Sequence, residues 1–455
     1  MNRTEKDSLG VKEIPATALY GIQTLRGAEN FQMSQQNVDR RFIYQIVKIK
    51  RAAAYANYQT GVLTTIKYQA IEHACNEILT GKYDDAFITD RLQGGAGTTT
   101  NMNVNEVITN VALQYLGKKT GEYQYLHPLD DVNRSQSTND VYPSGGKLTT
   151  LIYLEEVITA VKDLKDLLND KGRQWSHIKK MGRTQLQEAV PTTLGASFQA
   201  YASALTRCLT RLTGVKKELC LLNLGGTAIG NCLNASPAYQ KALYEYLQQD
   251  YEDKLAPAED LIDATQHIDS LAAVSSALKT LAITLGKLAN DLRLLSSGPR
   301  SGFCELMLPA VQAGSSIMPG KVNPVIPEVV NQIVFQVMGN DLTISLACEA
   351  GQLELNAFEP IIFANLFESC QLLTAGCQTL GQKCIQGIMP NQEKCTQDVY
   401  QSTGTITQLT PLIGYETASR IVKEALAKKV SVFDLLQEEN LLSGTKIEAL
   451  RKKIS

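Results

Sequence analysis

The apolar positions of this 455-residue chain change rhythm near residue 145. From there Leu148, Leu151, Leu154, Val157, Val161, Leu164 and Leu168 recur at three- and four-residue steps, the spacing at which side chains share one helix face. The pattern predicts one long amphipathic helix reaching about Trp175. A second run, Leu271, Val274, Leu278, Leu281, Leu285, Leu288, Leu292 and Leu295, comes close to a heptad seam. A third starts near Pro327, a residue suited to a helix's first turn, and continues through Val330, Val334, Val337 and Met338 to about Ala350. Helices this long and apolar carry more greasy surface than one subunit of this size needs to bury, which favours an oligomer over a bundle closed within one chain.

The flanks read differently. Residues 1–140 are mixed and mostly helical, with a short apolar helix at 42–58; a Gly/Thr/Asn-rich segment at 94–105 and a polar segment at 127–140 read as loops. Beyond about 390 the helical patterns shorten, as at 416–428, and the chain closes on a charged tail at 446–453. This predicts three regions: an N-terminal domain over 1–140, a long-helix bundle over 141–390 and a small helical domain over 391–455.

Composition removes several function classes. A hydrophobic content of 44% supports a sizeable core, and 44 basic against 46 acidic side chains leave a net charge of −2. No global field then points to nucleic acid or a membrane surface, so an anionic ligand must be held by local groups. The start, MNRTEKD, has no apolar segment, and no later stretch reaches the ~18 uncharged apolar residues of a membrane span; the expected location is the cytoplasm. Ten scattered cysteines read as reduced thiols. Four histidines far apart in sequence, with no CxxC or HExxH, give no expectation of a metal site. No glycine-rich dinucleotide loop follows a strand pattern, so nicotinamide chemistry has no support.

Four segments concentrate glycine with hydroxyl and amide side chains: 94–103 (GGAGTTTNMN), 136–140 (QSTND), 182–187 (GRTQLQ) and 314–324 (GSSIMPGKVNP). Taken singly, each is an ordinary turn or helix cap. Together with one lysine they supply the donors that hold a small dicarboxylate at both ends without a metal. The fourth segment argues hardest for a site, because Pro319, Gly320 and Pro324 bracket Lys321 and Asn323 and leave them little freedom.

The string at 314–324 resembles the signature of the aspartase/fumarase superfamily, and the other three segments resemble that family's remaining active-site regions in the same order. The likeness covers nearly the whole chain. Further strings, MGRTQLQEAVP (181–191), PVIPEVVNQ (324–332), EAGQLELN (349–356), GEYQYL (121–126) and LRLLSSGPR (292–300), resemble the aspartase branch. Fumarases typically carry histidine where this chain has Gln185, and glutamine cannot titrate. HPLDDVNRSQSTND (127–140) and Gly320 also occur in fumarase-like form.

The resemblance implies a mainly α, three-domain subunit whose long central helical bundle is shared in a homotetramer, with sites built between subunits. It implies reversible elimination of ammonia from L-aspartate to give fumarate through an aci-carboxylate intermediate. Ser315 would be the base. Thr98, Ser137 and Thr138 would hold the β-carboxylate, with Asn139 and Thr184 near the amino group and Lys321 and Asn323 on the α-carboxylate. Ser316 and Gln185 would also line the substrate, with Glu328 in support; no general acid is assigned. A lid over 302–316, with Gly302 and Gly314 as hinges, would exclude water. No cofactor is implied; divalent-cation activation belongs to some relatives and no residue here demonstrates it. The alternatives are a fumarate hydratase, converting L-malate to fumarate and water, and a non-catalytic protein retaining the fold.

Overall fold

The computed structural model describes residues 2–454. Helices dominate them, as the periodicity requires. The long ones are Thr138–Gln174, Leu194–Leu219, Asp269–Leu295, Val325–Glu349 and Glu359–Leu380. Among the described residues strands occur only as two-stranded pairs, including the hairpin Asn2–Asp7 with Gly10–Pro15, the hairpin Lys179–Thr184 with Gln187–Thr193, and Leu306–Met307 with Met389–Pro390.

The chain forms two compact units. One comprises Met1–Ile158, Arg211–Lys279 and Gln336–Leu372, the other Thr159–Thr210, Thr280–Phe335 and Leu373–Ser455. All five long helices contribute residues to both, so each unit is assembled from separated stretches of chain. The expected division into 1–140, 141–390 and 391–455 is one of sequence; these units are divisions of space.

The leucine stripes do what their spacing predicts. Leu148, Leu154, Val157, Val161 and Leu168 are fully buried, as are Leu271, Val274, Leu278 and Leu281. The Asp269–Leu295 helix is long and apolar enough to cross a membrane by composition; here it serves as a core helix, its seam packed inside the protein. All ten cysteines are free thiols.

Two segments expected as loops are helical in part. The Thr98–Tyr115 helix runs through the Gly/Thr/Asn-rich stretch, and every residue from Thr100 to Leu113 is buried. The side-chain amides of its asparagines donate to Asn133 Oδ1, Thr138 Oγ1 and the Ala86 and Leu19 carbonyls, so the polar side chains that suggest a loop are instead the inner surface of the unit. The Thr138–Gln174 helix likewise begins seven residues before the leucine pattern, despite Pro143 inside it. Proline removes the backbone donor that Asn139 O needs; the Asn223 side-chain amide takes that carbonyl at 3.0 Å. The third helix starts at Val325, so Pro327 lies within its first turn.

The core of the first unit centres on aromatic rings. Phe42 meets Tyr142 edge-on at 4.8 Å and Phe363 at 5.4 Å, and Phe363 lies 5.7 Å from Phe367. In the second unit Val399, Leu409, Ile421, Phe433 and Leu436 form a buried cluster that Met181 joins from the hairpin.

Gly146 sits inside the Thr138–Gln174 helix, where alanine ordinarily gains about 1 kcal/mol of helix propensity. Its position faces Phe363, and a Cβ there would lie 2.0 Å from the ring. The ring is locked by Phe42, Tyr142 and Phe367, so overpacking wins. Gly146→Ala is expected to lower stability by about 1–3 kcal/mol, measured by urea unfolding at fixed protomer concentration; a stabilised variant would contradict the packing argument.

Candidate active site

In the first unit two helix N-termini carry candidate site residues. Gly97 enters the Thr98–Tyr115 helix at φ 86°, and a Cβ on it would come within 2.3 Å of the Tyr142 ring. Glycine is needed for both reasons. The turn leaves Thr98 exposed at the helix's first residue, its Oγ1 donating to Gly95 O at 2.8 Å.

The second N-terminus is closed by a reciprocal cap. Ser137 Oγ accepts from Asn139 N at 3.2 Å while Asp140 Oδ1 accepts from Ser137 N at 2.9 Å, the capping-box arrangement. Asp140 Oδ2 accepts from Gly225 N at 3.0 Å and Thr227 N at 3.1 Å. Burial pushes the Asp140 carboxyl up to about 6, opposed by these donors and by Lys50. Asn139 Nδ2 donates to Ala228 O at 2.7 Å.

Asn101 Nδ2 joins the two N-termini, donating to Thr138 Oγ1 at 3.1 Å. The structure therefore brings Thr98, Ser137, Thr138 and Asn139 to adjoining helix ends, where unpaired N–H groups and the helix dipole favour an anion. Placing them on helix ends rather than on loops holds them rigidly.

In the second unit Thr184 ends the first strand of the hairpin. Gln185 and Leu186 form its two-residue turn with φ 54° and 64°, the geometry that normally selects Asn-Gly. Non-glycine residues in this region cost of order 1 kcal/mol each, and such strain collects at functional positions. The hairpin's first strand is anchored by Glu305, fully buried, which pairs with Lys180 at 2.7 Å and with Arg183.

The signature segment folds back on itself. Gly314 N donates to Lys321 O at 2.9 Å and Asn323 Nδ2 donates to Gly314 O at 2.7 Å. Within it Ser315 Oγ accepts from Ile317 N at 3.1 Å and Met318 N at 3.0 Å. Ser316 and Lys321 are exposed. Lys321, Asn323 and Glu328 line one cleft of about 510 Å³ with Arg293 and Ser297.

The first residues of the segment expected as a lid, 302–316, are tied down. Glu305 N donates to Leu295 O, and Leu306–Met307 is paired in a strand. Gly302 is no open hinge, because a Cβ on it would lie 2.4 Å from the Ser297 backbone; one on Gly314 would lie 2.4 Å from Lys321 O. Both glycines permit close backbone approach.

Residues 10–339 match the family model described as Lyase, and residues 406–452 match Fumarase C C-terminus. The chain belongs to the aspartase/fumarase lyase family. Over 449 residues, 98% of this chain and 95% of the relative, it is 48% identical to an aspartate ammonia-lyase of Pseudomonas canavaninivorans. A crystal structure of fumarate lyase:delta crystallin from Brucella melitensis bound to cobalt superposes with a TM-score of 0.97 at 46% identity, covering 100% of this chain and 99% of that one. A class II fumarase from Schistosoma mansoni gives 0.94 at 35% identity, covering 100% and 98%.

Sequence reading missed the residues behind this lyase's helix ends. Lys50, Asn101, Asn133 and Asp140 are polar residues in buried surroundings, and Glu305 stands alone in an apolar stretch; only the serine-to-aspartate spacing of 137–140 carried a signal, that of a capping box. Among the described residues no group of three or more His, Cys, Asp or Glu side chains is placed to hold a metal.

Lys50 is fully buried, and burial lowers its pKa from 10.5 to about 7, against the attraction of Asp140. The unfolded chain then binds more protons than the folded one between these values. The cost of burying this group grows as pH falls toward 7 and disappears as pH rises toward 10.5, so stability rises with pH by up to ~1.4 kcal/mol per pH unit. Lys50→Met is expected to flatten that rise, read by urea unfolding between pH 7 and 9; an unchanged slope would mean that Lys50 is not its source.

Proposed function

We propose that this chain is an aspartate ammonia-lyase that eliminates ammonia from L-aspartate to leave fumarate. The observation that carries the reading is the end-to-end likeness to an aspartate ammonia-lyase, 48% against 35% for the class II fumarase. Gln185 at the hairpin tip agrees, since an untitratable amide cannot manage the water of a hydration.

The difficult step is removal of a proton from the substrate's Cβ, which is tolerable only if the resulting charge spreads into the adjacent carboxylate. Thr98, Ser137 and Thr138 hold that carboxylate as the aci-form develops, assisted by two helix N-termini. Preorganised donors of this kind are worth about 10²–10³ in rate each. Asn139, its Nδ2 committed to Ala228 O, offers Oδ1 to the substrate ammonium, with Thr184 nearby. Lys321 and Asn323 take the α-carboxylate, with Gln185 and Ser316 around the substrate and Glu328 in support. Ser315, acting as the alkoxide after its own hydroxyl proton has passed to solvent, takes the Cβ proton on Oγ; its two backbone donors stabilise that alkoxide. The C–N bond then breaks with its electron pair leaving on nitrogen, and the double bond of fumarate forms. All charge stabilisation in this scheme comes from protein groups.

The subunit is a quarter of a homotetramer in this reading. Phe335, Leu342 and Leu346 expose 67%, 61% and 61% of their surface along one helix, Val325–Glu349, an apolar face that a second copy would cover. The Thr184–Gln185 tip, strained and exposed, suits a role in a neighbouring subunit's site. A cytoplasmic, metabolic setting is consistent with the reaction.

Purified protein incubated separately with L-aspartate and L-malate is expected to produce fumarate, followed by its ultraviolet absorbance, from aspartate alone. Fumarate from malate alone would make it a hydratase, and silence from both a non-catalytic protein. Ser315→Ala is expected to keep its mass and helicity while losing ~10²–10⁴ in kcat; a near-normal rate removes Ser315 as base. On dilution, activity and mass measured together are expected to fall together, and fully active monomers would refute shared sites.

A further inference from the structure

We propose that Asn101 is a positioning residue that makes the Thr138 hydroxyl an obligatory donor toward the substrate, its own orientation fixed through Asn133 by the Gln136 carbonyl. The proposal rests on Thr138 being a carboxylate ligand, as argued above.

The argument follows which atoms can donate. Asn133 Nδ2 faces Gln136 O at 3.4 Å, and a carbonyl oxygen can only accept, so the amide group of Asn133 must point there. Its Oδ1 therefore faces the other way, where it meets Lys50 Nζ at 2.7 Å. The same oxygen meets the side-chain amides of Asn101 at 3.2 Å and Asn105 at 3.1 Å. Each must present N–H to an oxygen so engaged. The orientation of Asn101 is thus set by its surroundings, and the atom it presents to Thr138 Oγ1, at 3.1 Å, is the nitrogen.

A threonine hydroxyl has one proton. With a lone pair of Oγ1 occupied by Asn101, that proton must go to a different partner, and among the described residues Thr138 donates to no protein acceptor. The hydroxyl is held as a donor for a ligand. Without the Asn101 amide it could turn inward and donate to whatever acceptor replaced it, at the expense of the developing carboxylate charge. Lys50 and Asn105 are fully buried and Asn101 is 1% exposed, so water does not compete for these bonds.

A purely structural network would tie the two helix ends together and affect every residue on them equally. The relay makes a narrower claim: Asn101 acts through Thr138 alone. A double-mutant cycle separates the two. Thr138→Val, Asn101→Leu and the double variant are assayed for kcat and KM with L-aspartate, with mass and melting recorded for each. Thr138→Val is expected to lower kcat about 100-fold. Asn101→Leu is expected to lower kcat about 10-fold with KM within threefold, and the double variant to be no slower than Thr138→Val. An Asn101 effect of equal size in both backgrounds, or no effect on kcat where Thr138→Val is slow, overturns the relay and leaves Thr138 as a ligand. Near-normal kinetics of Thr138→Val overturn the ligand reading itself. If Asn101→Leu does not assemble, Asn101→Ala completes the same cycle.

Discussion

A polar side chain taken out of water must find a partner or cost of order 1–3 kcal/mol, and that constraint organises the first unit of this protein. The Thr98–Tyr115 helix is rich in Asn and Thr, yet almost all of it is buried. Glu106 on this helix accepts from the backbone of Gly21, Gln23 and Thr24 and from the Thr24 hydroxyl. Asn110 Nδ2 donates to Leu19 O, and Asn103 Nδ2 to Ala86 O. Preceding segments are thus fastened to one polar helix whose own N-terminus carries Thr98. The bonds that hold the fold and those that hold the site belong to one network.

The same logic explains how a proline is tolerated beside the site. Pro143 deprives Asn139 O of its helical donor, and Asn223 supplies a replacement. Asn223 Oδ1 in turn accepts from Ser144 Oγ at 3.0 Å. The helix can then begin at Thr138, presenting its first-turn residues to a ligand, without a break five residues later.

The second unit solves a different problem. Its candidate site residues are exposed or half-buried, and their local geometry is set by short loops: a hairpin turn of two left-handed residues and a signature segment closed by Gly314, Lys321 and Asn323. Glu305 anchors the hairpin's strand through Lys180 and Arg183. Rigid helix ends and a separately shaped loop would suit the proposed elimination, in which the carboxylate must be held before the proton moves.

The sequence by itself determined the long helices, because burying one stripe of Leu and Val at a 3.6-residue period needs no knowledge of the partner. It also marked four candidate site segments, since glycine, proline and hydroxyl residues constrain the backbone locally wherever they stand. It misjudged 98–105, 128–132 and 138–140 as loop, because propensity counts an asparagine as a helix breaker and cannot count the bond that satisfies it. Whether Asn101 finds Thr138, Asn133 finds Lys50, or Asn223 finds the carbonyl freed by Pro143 depends on residues 37, 83 and 84 positions away. Only the tertiary structure decided those pairings, because a buried polar group is stabilised by its partner in space and carries no periodic mark of it along the chain.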